Sequence, residues 1–282
     1  MLIFYDFMIL LDGKKLAEKI ISELKNEVSK KSQKFRLAII KIGSDAATES
    51  FLKIKIKTGE KIGIGVKVFS YARDIAADKL TEEVGRIVHE SKNTGVIIQL
   101  PVPKHLNSQH ILDAVTAGKD ADVLSSSAIG NFATGRSPIF PPVAGAIKVF
   151  FEEYNIDYKS KRILIIGAGR LVGRPAASWL LAEDVGFSIV TENSPDFMDL
   201  CARADIIISG AGRAGLIKGN MVKNGVIVVD AGSSESKGKI KGDVDFESVS
   251  KKASYITPVP GGVGPLSVAM LFYNLVKLAD RA

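Results

Sequence analysis

The run Arg162-Ile-Leu-Ile-Ile166 is followed without a break by Gly167-Ala-Gly169-Arg-Leu-Val-Gly173-Arg-Pro175, and helical periodicity resumes after it. This succession constrains the fold more than any other stretch of the chain. An apolar run without alternation suits a central parallel strand covered on both faces. A parallel strand needs a crossover helix to reach its neighbour, so strand, glycine turn and helix together predict an α/β unit. The glycines let the turn close tightly and approach a pyrophosphate, whose charge a helix N-terminus stabilises. The spacing G-x-G-x-x-x-G is one residue longer than the commonest dinucleotide fingerprint. Gly167, Gly169 and Gly173 are thus candidate cofactor-contacting positions, with Arg170 and Arg174 supplying positive charge beside them.

The same alternation runs along the whole chain. Helices are expected from Asp12 to Lys31, Ala46 to Ile62, Lys79 to Glu90, Gly145 to Tyr154 and Pro265 to Leu278. Strands are expected at Arg36–Ile42, Val66–Ser70, Gly95–Gln99, Phe187–Thr191, Asp205–Ser209 and Val226–Asp230. Pro101, Pro103, Pro138, Pro141 and Pro142 interrupt the pattern and place a domain junction near residue 140. The expected architecture is two α/β domains flanking a cleft, the second a Rossmann-type doubly wound parallel sheet. Residues 1–140, joined by the terminal helix 265–282, form the first domain; residues 141–264 form the second.

Composition narrows the class. A chain of 282 residues with 46% apolar and 24% charged residues is globular, neither disordered nor membrane-embedded. The net charge of +7 is spread along the chain, and no basic run carries interleaved aromatics, which argues against a nucleic-acid partner. The positive field instead suits small polyanions. The single cysteine, Cys201, has no partner for an internal disulfide and fits a cytoplasmic setting. Met1–Leu11 is apolar but too short to span a bilayer, has no basic leader, and is expected to pack against the body; Met1 and Met8 are both eligible starts. His89, His105 and His110 lack ligand-like neighbours, so no metal is expected.

Residue chemistry leaves the choice of dinucleotide open. Thr191-Glu192-Asn193-Ser194 follows a strand at the position where an acidic residue commonly holds the ribose hydroxyls of NAD. Ser194, with Arg170 and Arg174 nearby, could equally serve the 2′-phosphate of NADP.

Ile256-Thr-Pro-Val-Pro-Gly-Gly-Val-Gly-Pro265 resembles, almost residue for residue, the signature of the bifunctional methylenetetrahydrofolate dehydrogenase/cyclohydrolase family. Further matches occur in the family's order: Asp12-Gly-Lys14, Gln99-Leu-Pro-Val-Pro103, Lys119-Asp-Ala-Asp122, the Gly167–Pro175 loop and Gly242-Asp-Val244. The decapeptide weighs against a generic two-domain NAD(P) dehydrogenase of a small amino or hydroxy acid, and against a non-enzymatic dinucleotide-binding protein.

The resemblance implies oxidation of methylenetetrahydrofolate with NADP in preference to NAD, and hydrolysis of the methenyl product, in a cytoplasmic homodimer with no membrane partner. It implies Lys55 as the acid–base group, Gln99 as its hydrogen-bond partner and Asp122 as a folate-contacting carboxylate; without it, Lys55 reads as a surface lysine and Asp122 as a turn-forming Asx residue. Pro258 and Gly262 match folate-contacting positions, and Gly167, Ala168, Gly169, Ser194 and Ser233 match NADP-contacting positions. Phe51, one helical turn before Lys55, stands where the family carries tyrosine, and Lys53 and Lys57 lie off that face. Phe140-Pro-Pro-Val-Ala-Gly145 likewise lacks the hydroxyl that the family's segment carries. Both departures bear on the cyclohydrolase more than on hydride transfer.

Overall fold

The structure, a computed structural model, describes residues 8–44, 46–236 and 239–280. Its contacts divide the chain into two compact units. One holds the chain up to Ala17 together with Val143–Ser267; the other holds Glu18–Pro142 together with the chain from Val268 onward. The stretch up to Ala17 thus clusters away from the residues that follow it, unlike the division expected from the prolines. The reason is a strand pair. β1 (Ile9–Leu10) lies parallel to β11 (Tyr255–Ile256), with Ile9 opposite Tyr255 and Leu10 opposite Ile256. Leu11 behind it is fully buried. Of the apolar N-terminal stretch, Met1–Phe7 lie outside the described residues.

In the unit that begins at Glu18, β2 (Arg36–Ile42) is the middle strand of a parallel three-stranded sheet, between β3 (Gly65–Tyr71) and β4 (Gly95–Ile98). Leu37, Ala38, Ile39 and Ile40 are all buried, as a middle strand requires. The crossovers run through α2 (Ala46–Ile62) and α3 (Ala77–His89). On α3, Leu80, Val84, Ile87 and Val88 form one apolar stripe at helical spacing and bury it on the sheet. Two shorter helices follow, α4 (Ser108–Asp113), capped by the Asn107 side chain, and α5 (Ser126–Ala133), capped by Ser125.

The other unit carries a six-stranded parallel sheet in the order β1-β11-β8-β7-β5-β6. Its strands besides β1 and β11 are β5 (Ile163–Ile166), β6 (Phe187–Val190), β7 (Ile206–Ser209) and β8 (Ile227–Asp230). β6 lies on one side of β5 and β7 on the other, so the order of strands reverses at β5. Open α/β sheets bind ligands at such a point, beyond the carboxyl ends of the strands. α7 (Gly173–Ala182) buries Trp179, whose ring lies 5.8 Å from Phe151 and 5.2 Å from Tyr158. α8 (Phe197–Arg203) packs Phe197 and Cys201 into the core with Leu164, Ile207 and Val228. Cys201 is a core residue, and burial pushes its thiol up to about 11. A β-hairpin, β9 (Ser234–Ser236) and β10 (Lys239–Lys241), and a short α9 (Phe246–Ser250) complete this unit.

Three helices cross the boundaries between units along the chain: α1 (Gly13–Ser29), α6 (Pro142–Glu153) and α10 (Val263–Ala279). The prolines led to later helix starts than the structure shows at α6 and α10. Pro142 is the first residue of α6 and Pro265 lies in the first turn of α10, where an amide proton has no helical partner to lose. Among the described residues no helix is long and apolar enough to cross a membrane.

Candidate active site

In the unit of β2, β3 and β4, the carboxyl edge of the sheet carries the candidate catalytic residues. Gln99 follows β4, and its amide continues the ladder by donating to the Ile40 carbonyl at 2.8 Å. Its side chain is oriented at both ends. Nε2 donates to the Leu100 carbonyl at 2.9 Å, which leaves Oε1 to accept from Lys55 Nζ at 3.0 Å. Lys55 projects from α2 on the same face as half-buried Phe51, while Lys53 and Lys57 are exposed. Burial holds the Lys55 ammonium below the ordinary lysine range, and attraction to Asp122 partly opposes this. Asp122 is the mirror image: burial raises its pKa and Lys55 pulls it back. An amine and a carboxyl share one poorly solvated site, so each sets the other's charge.

The loop that presents Asp122 is built from its neighbours in Lys119-Asp-Ala-Asp122. Lys119 Nζ donates to the carbonyls of Val88 and Glu90 at 2.6 and 3.2 Å, satisfying groups at the end of α3. Asp120, 3% exposed, accepts the amides of Leu124 and Ser125 at 2.9 and 2.7 Å. Burial still outweighs these donors and raises its carboxyl to about 6. The Ala121 carbonyl accepts from Asn274 of α10 at 2.9 Å, and Asn274 also donates to the Phe140 carbonyl at 2.7 Å. Between these anchors Val123 has φ +56°, strained for a β-branched residue. Asp122 is therefore presented by a loop anchored on both sides of it. Asp120 and Asn274 carry this placement and were not singled out from sequence. An aspartate in a loop reads as a turn former, and one asparagine in an apolar helix shows no partner until the fold supplies it.

The other unit holds the glycine turn. Gly167 has φ +95°, and a Cβ there would come within 2.6 Å of the Gly210 carbonyl oxygen; a Cβ on Gly173 would lie 1.8 Å from the Gly167 oxygen. The fold itself therefore demands both glycines. Gly169 differs: a Cβ there would meet nothing closer than 3.7 Å. Nothing among the described residues requires glycine at 169, but a pyrophosphate lying on the turn would. The turn is held by Gly167 N–H to the Val190 carbonyl at 2.8 Å and by Arg174 Nε to the Ala168 carbonyl at 3.1 Å. At the end of β6, the Ser194 hydroxyl accepts from the Thr191 amide at 3.1 Å and keeps its proton to donate. Ser233 is exposed in the loop after β8.

Beneath these loops lie two buried carboxylates. Asp230 accepts the amides of Gly232, Asp243 and Val244 at 2.8, 3.1 and 3.0 Å. Asp243 accepts from the Ser209 hydroxyl at 2.8 Å and from the amides of Ala211 and Arg213 at 2.7 Å each. Burial raises Asp230 to about 6, with Asp243 adding to the rise. Gly242-Asp-Val244 is thus the clamp that sets the loops after β7 and β8. Thr257 joins it, its hydroxyl accepting the Asp230 amide at 2.7 Å. Gly262 donates its amide to the half-buried Pro258 at 2.8 Å, and the Gly261 carbonyl accepts the Lys14 amide at 3.1 Å. The decapeptide, Asp12-Gly-Lys14 and Gly242-Asp-Val244 therefore meet within one unit.

Residues 11–122 match the model of the tetrahydrofolate dehydrogenase/cyclohydrolase catalytic domain, and residues 141–282 that of its NAD(P)-binding domain. The chain belongs to the tetrahydrofolate dehydrogenase/cyclohydrolase family. It is 41% identical to the bifunctional protein FolD of Nautilia profundicola over 279 residues, 97% of this chain and 98% of the relative. The bifunctional FolD of Campylobacter jejuni superposes with a TM-score of 0.93 at 38% identity, covering 98% of this chain and 99% of that one. The Trypanosoma brucei FolD, solved with NADP cofactor and an inhibitor, gives a TM-score of 0.92 at 30% identity, covering 97% and 98%. Within this family frame, Lys55, Gln99 and Asp122 fall in one matched domain, Asp122 as its last residue. The glycine turn, Ser194, Ser233, Pro258 and Gly262 fall in the other.

Proposed function

We infer that the protein oxidises 5,10-methylenetetrahydrofolate to 5,10-methenyltetrahydrofolate with NADP and then hydrolyses that product to 10-formyltetrahydrofolate. The observation that carries this reading is the pairing, in one family-matched chain, of a poorly solvated Lys55–Gln99–Asp122 cluster with a glycine turn whose Gly169 has no internal reason to be glycine.

NADP, when bound, supplies the hydride acceptor for the first step. Gly167, Ala168, Gly169, Arg170, Gly173, Ser194 and Ser233 are the residues that would hold it. The protein's part in the oxidation is placement, because loss of hydride from the methylene carbon requires no obligatory proton transfer. The second step adds water to the methenyl carbon and opens the ring, and that step moves protons. Lys55 is suited to it: with its pKa lowered, a larger share of the amine is neutral near pH 7 and can take a proton from the attacking water. Gln99 holds one Nζ–H and so directs the remaining lone pair. Asp122 serves the pterin amino nitrogens, with Phe51, Pro258 and Gly262 completing the folate contacts. The open edge of β6, with Ile189 exposed, suits a homodimer, and a buried lone Cys201 suits the cytoplasm.

The test follows NADPH absorbance with methylenetetrahydrofolate, with NADP and NAD assayed in parallel, and then decay of the methenyl chromophore. Folate-dependent reduction of NADP followed by methenyl hydrolysis is expected. Absence of any folate-dependent reduction of either dinucleotide overturns the reading.

A further inference from the structure

Glu192 stands two residues beyond β6, where a Rossmann-type site places the carboxylate that holds the adenosine ribose hydroxyls of NAD. A free carboxylate there would repel the 2′-phosphate of NADP. In this chain it is not free: the Arg213 guanidinium is ion-paired with it. Arg213 reaches Glu192 from the loop after β7, on the far side of β5 in the strand order. The ends of these three strands are tied together, Gly210 donating to the Ile166 carbonyl and Gly167 to the Val190 carbonyl, each at 2.8 Å. The backbone of Arg213 is set by its amide's bond to fully buried Asp243 at 2.7 Å. Its side chain is by contrast 64% exposed, opposite a glutamate side chain that is 34% exposed, so the pair is free to open. Of the two arginines in the turn itself, Arg170 and Arg174, the second is less available, since its Nε already serves the Ala168 carbonyl. Ser194 has one proton to donate and no charge to offset that of Glu192.

We propose that Arg213 is a specificity-determining residue: it cancels Glu192 and, with a dinucleotide bound, turns its guanidinium to the 2′-phosphate, so that a site with an NAD-type carboxylate accepts NADP. This deepens the reading given above and rests on it. Asp243 is then a positioning residue, acting through the backbone of Arg213.

The test titrates oxidised NADP and NAD into the full-length protein by calorimetry and measures kcat/KM for each. Arg213→Ala removes the phosphate's partner and frees Glu192 for the ribose hydroxyls. A charge-assisted bond of this kind corresponds to about 10- to 100-fold in affinity, so the NADP-to-NAD ratio of binding constants should fall by that amount. Glu192→Gln should move the ratio the other way, and the double variant should lie between. Both side chains are exposed, and an unchanged melting temperature verifies the fold. A ratio within twofold of wild type in Arg213→Ala, or equal weakening of both dinucleotides, overturns the proposal. A wild type that binds neither dinucleotide overturns the underlying reading instead, so the two failures are distinguishable.

Discussion

The loop at 119–125 and the turn at 167–173 are both aimed at a ligand, yet they are built from opposite materials. The first is held by side chains: Lys119 on helix-end carbonyls, Asp120 on two amides, Asn274 on the Ala121 carbonyl. What it presents, Asp122 beside Lys55, is a pair of titratable groups pushed from their ordinary ranges by burial. The second is held chiefly by backbone against backbone, with Gly167 and Gly173 excluding any side chain from the crossing and one side-chain bond, from Arg174 Nε to the Ala168 carbonyl, added to it. What it presents is a row of amides and a helix start, whose charge does not change with pH. The contrast follows from the chemistry asked of each. Ring opening must move protons, so its loop carries groups that titrate. Dinucleotide binding needs only close approach and a fixed dipole.

Substitution at Lys55 should break this contrast most strongly. Lys55→Met removes the proton-moving group and should lower methenyl hydrolysis by about 10²- to 10⁴-fold, with NADP affinity within twofold of wild type. Turnover within a few-fold of wild type in a folded variant would remove Lys55 from the mechanism. In the other unit the corresponding break is steric. Gly173→Ala puts a methyl carbon into the Gly167 carbonyl and should cost about 1–3 kcal/mol in stability along with dinucleotide binding. Gly169→Ala has room within the protein, so it should keep wild-type stability while losing about 10- to 100-fold in NADP affinity, about 1.4–3 kcal/mol. Methenyl hydrolysis should survive both changes, and its parallel loss would mean that the two sites are not separable in this way.

The two regions share one device, and a pH titration sharpens the comparison where they agree. Asp120 and Asp230 each sit beneath a functional loop, and burial raises each from 3.8 to about 6. A carboxyl raised in the folded state is easier to keep protonated there than in the unfolded chain. Its contribution is therefore fully present below pH 4 and is lost as the pH rises through about 6. The interval corresponds to about 3 kcal/mol per group, and other carboxyls such as Asp205, which is held low by Arg162 and Lys223, act in the opposite direction. The measurement is therefore a difference. Urea unfolding of wild type and Asp120→Asn between pH 4 and 7 should show wild type gaining relative to the variant as the pH falls. A constant difference across that range would mean that Asp120 does not titrate there.

Much of this architecture was legible in the sequence because the central parallel strands β4, β5, β7 and β8 are apolar runs buried throughout and α3 carries clean helical periodicity. Gln99 was singled out because Gln99-Leu-Pro-Val-Pro103 is intact, and Lys55 although Phe51 replaces the family's tyrosine one turn before it; 44 positions apart in sequence, the two side chains meet at 3.0 Å. What escaped reading was non-local or locally ambiguous. β1 is two residues long, and its partner lies near residue 255, a pairing that no periodicity can signal. Asn274 looks like an ordinary polar residue, and Asp243, though part of the matched Gly242-Asp-Val244, shows no role until burial makes its bonds count. Arg213 reads as a solvated charge, since its meaning comes wholly from Glu192, 21 positions away.

The strand pair at the start of the chain also governs the order in which the molecule can be assembled on the ribosome. β1 is made before its partner β11, which follows 246 residues later, Tyr255 pairing with Ile9. The unit made next fares no better, because Asn274, which ties the Ala121 and Phe140 carbonyls, is made 153 and 134 residues after them. Neither unit can finish folding while the rest is still being translated, although domains usually fold as they emerge. Both are completed by the same last stretch, α10, so a nascent chain halted before Val263 would leave each unit without a piece of itself. Vectorial synthesis, which in most two-domain proteins releases one folded domain ahead of the other, here delivers the two together.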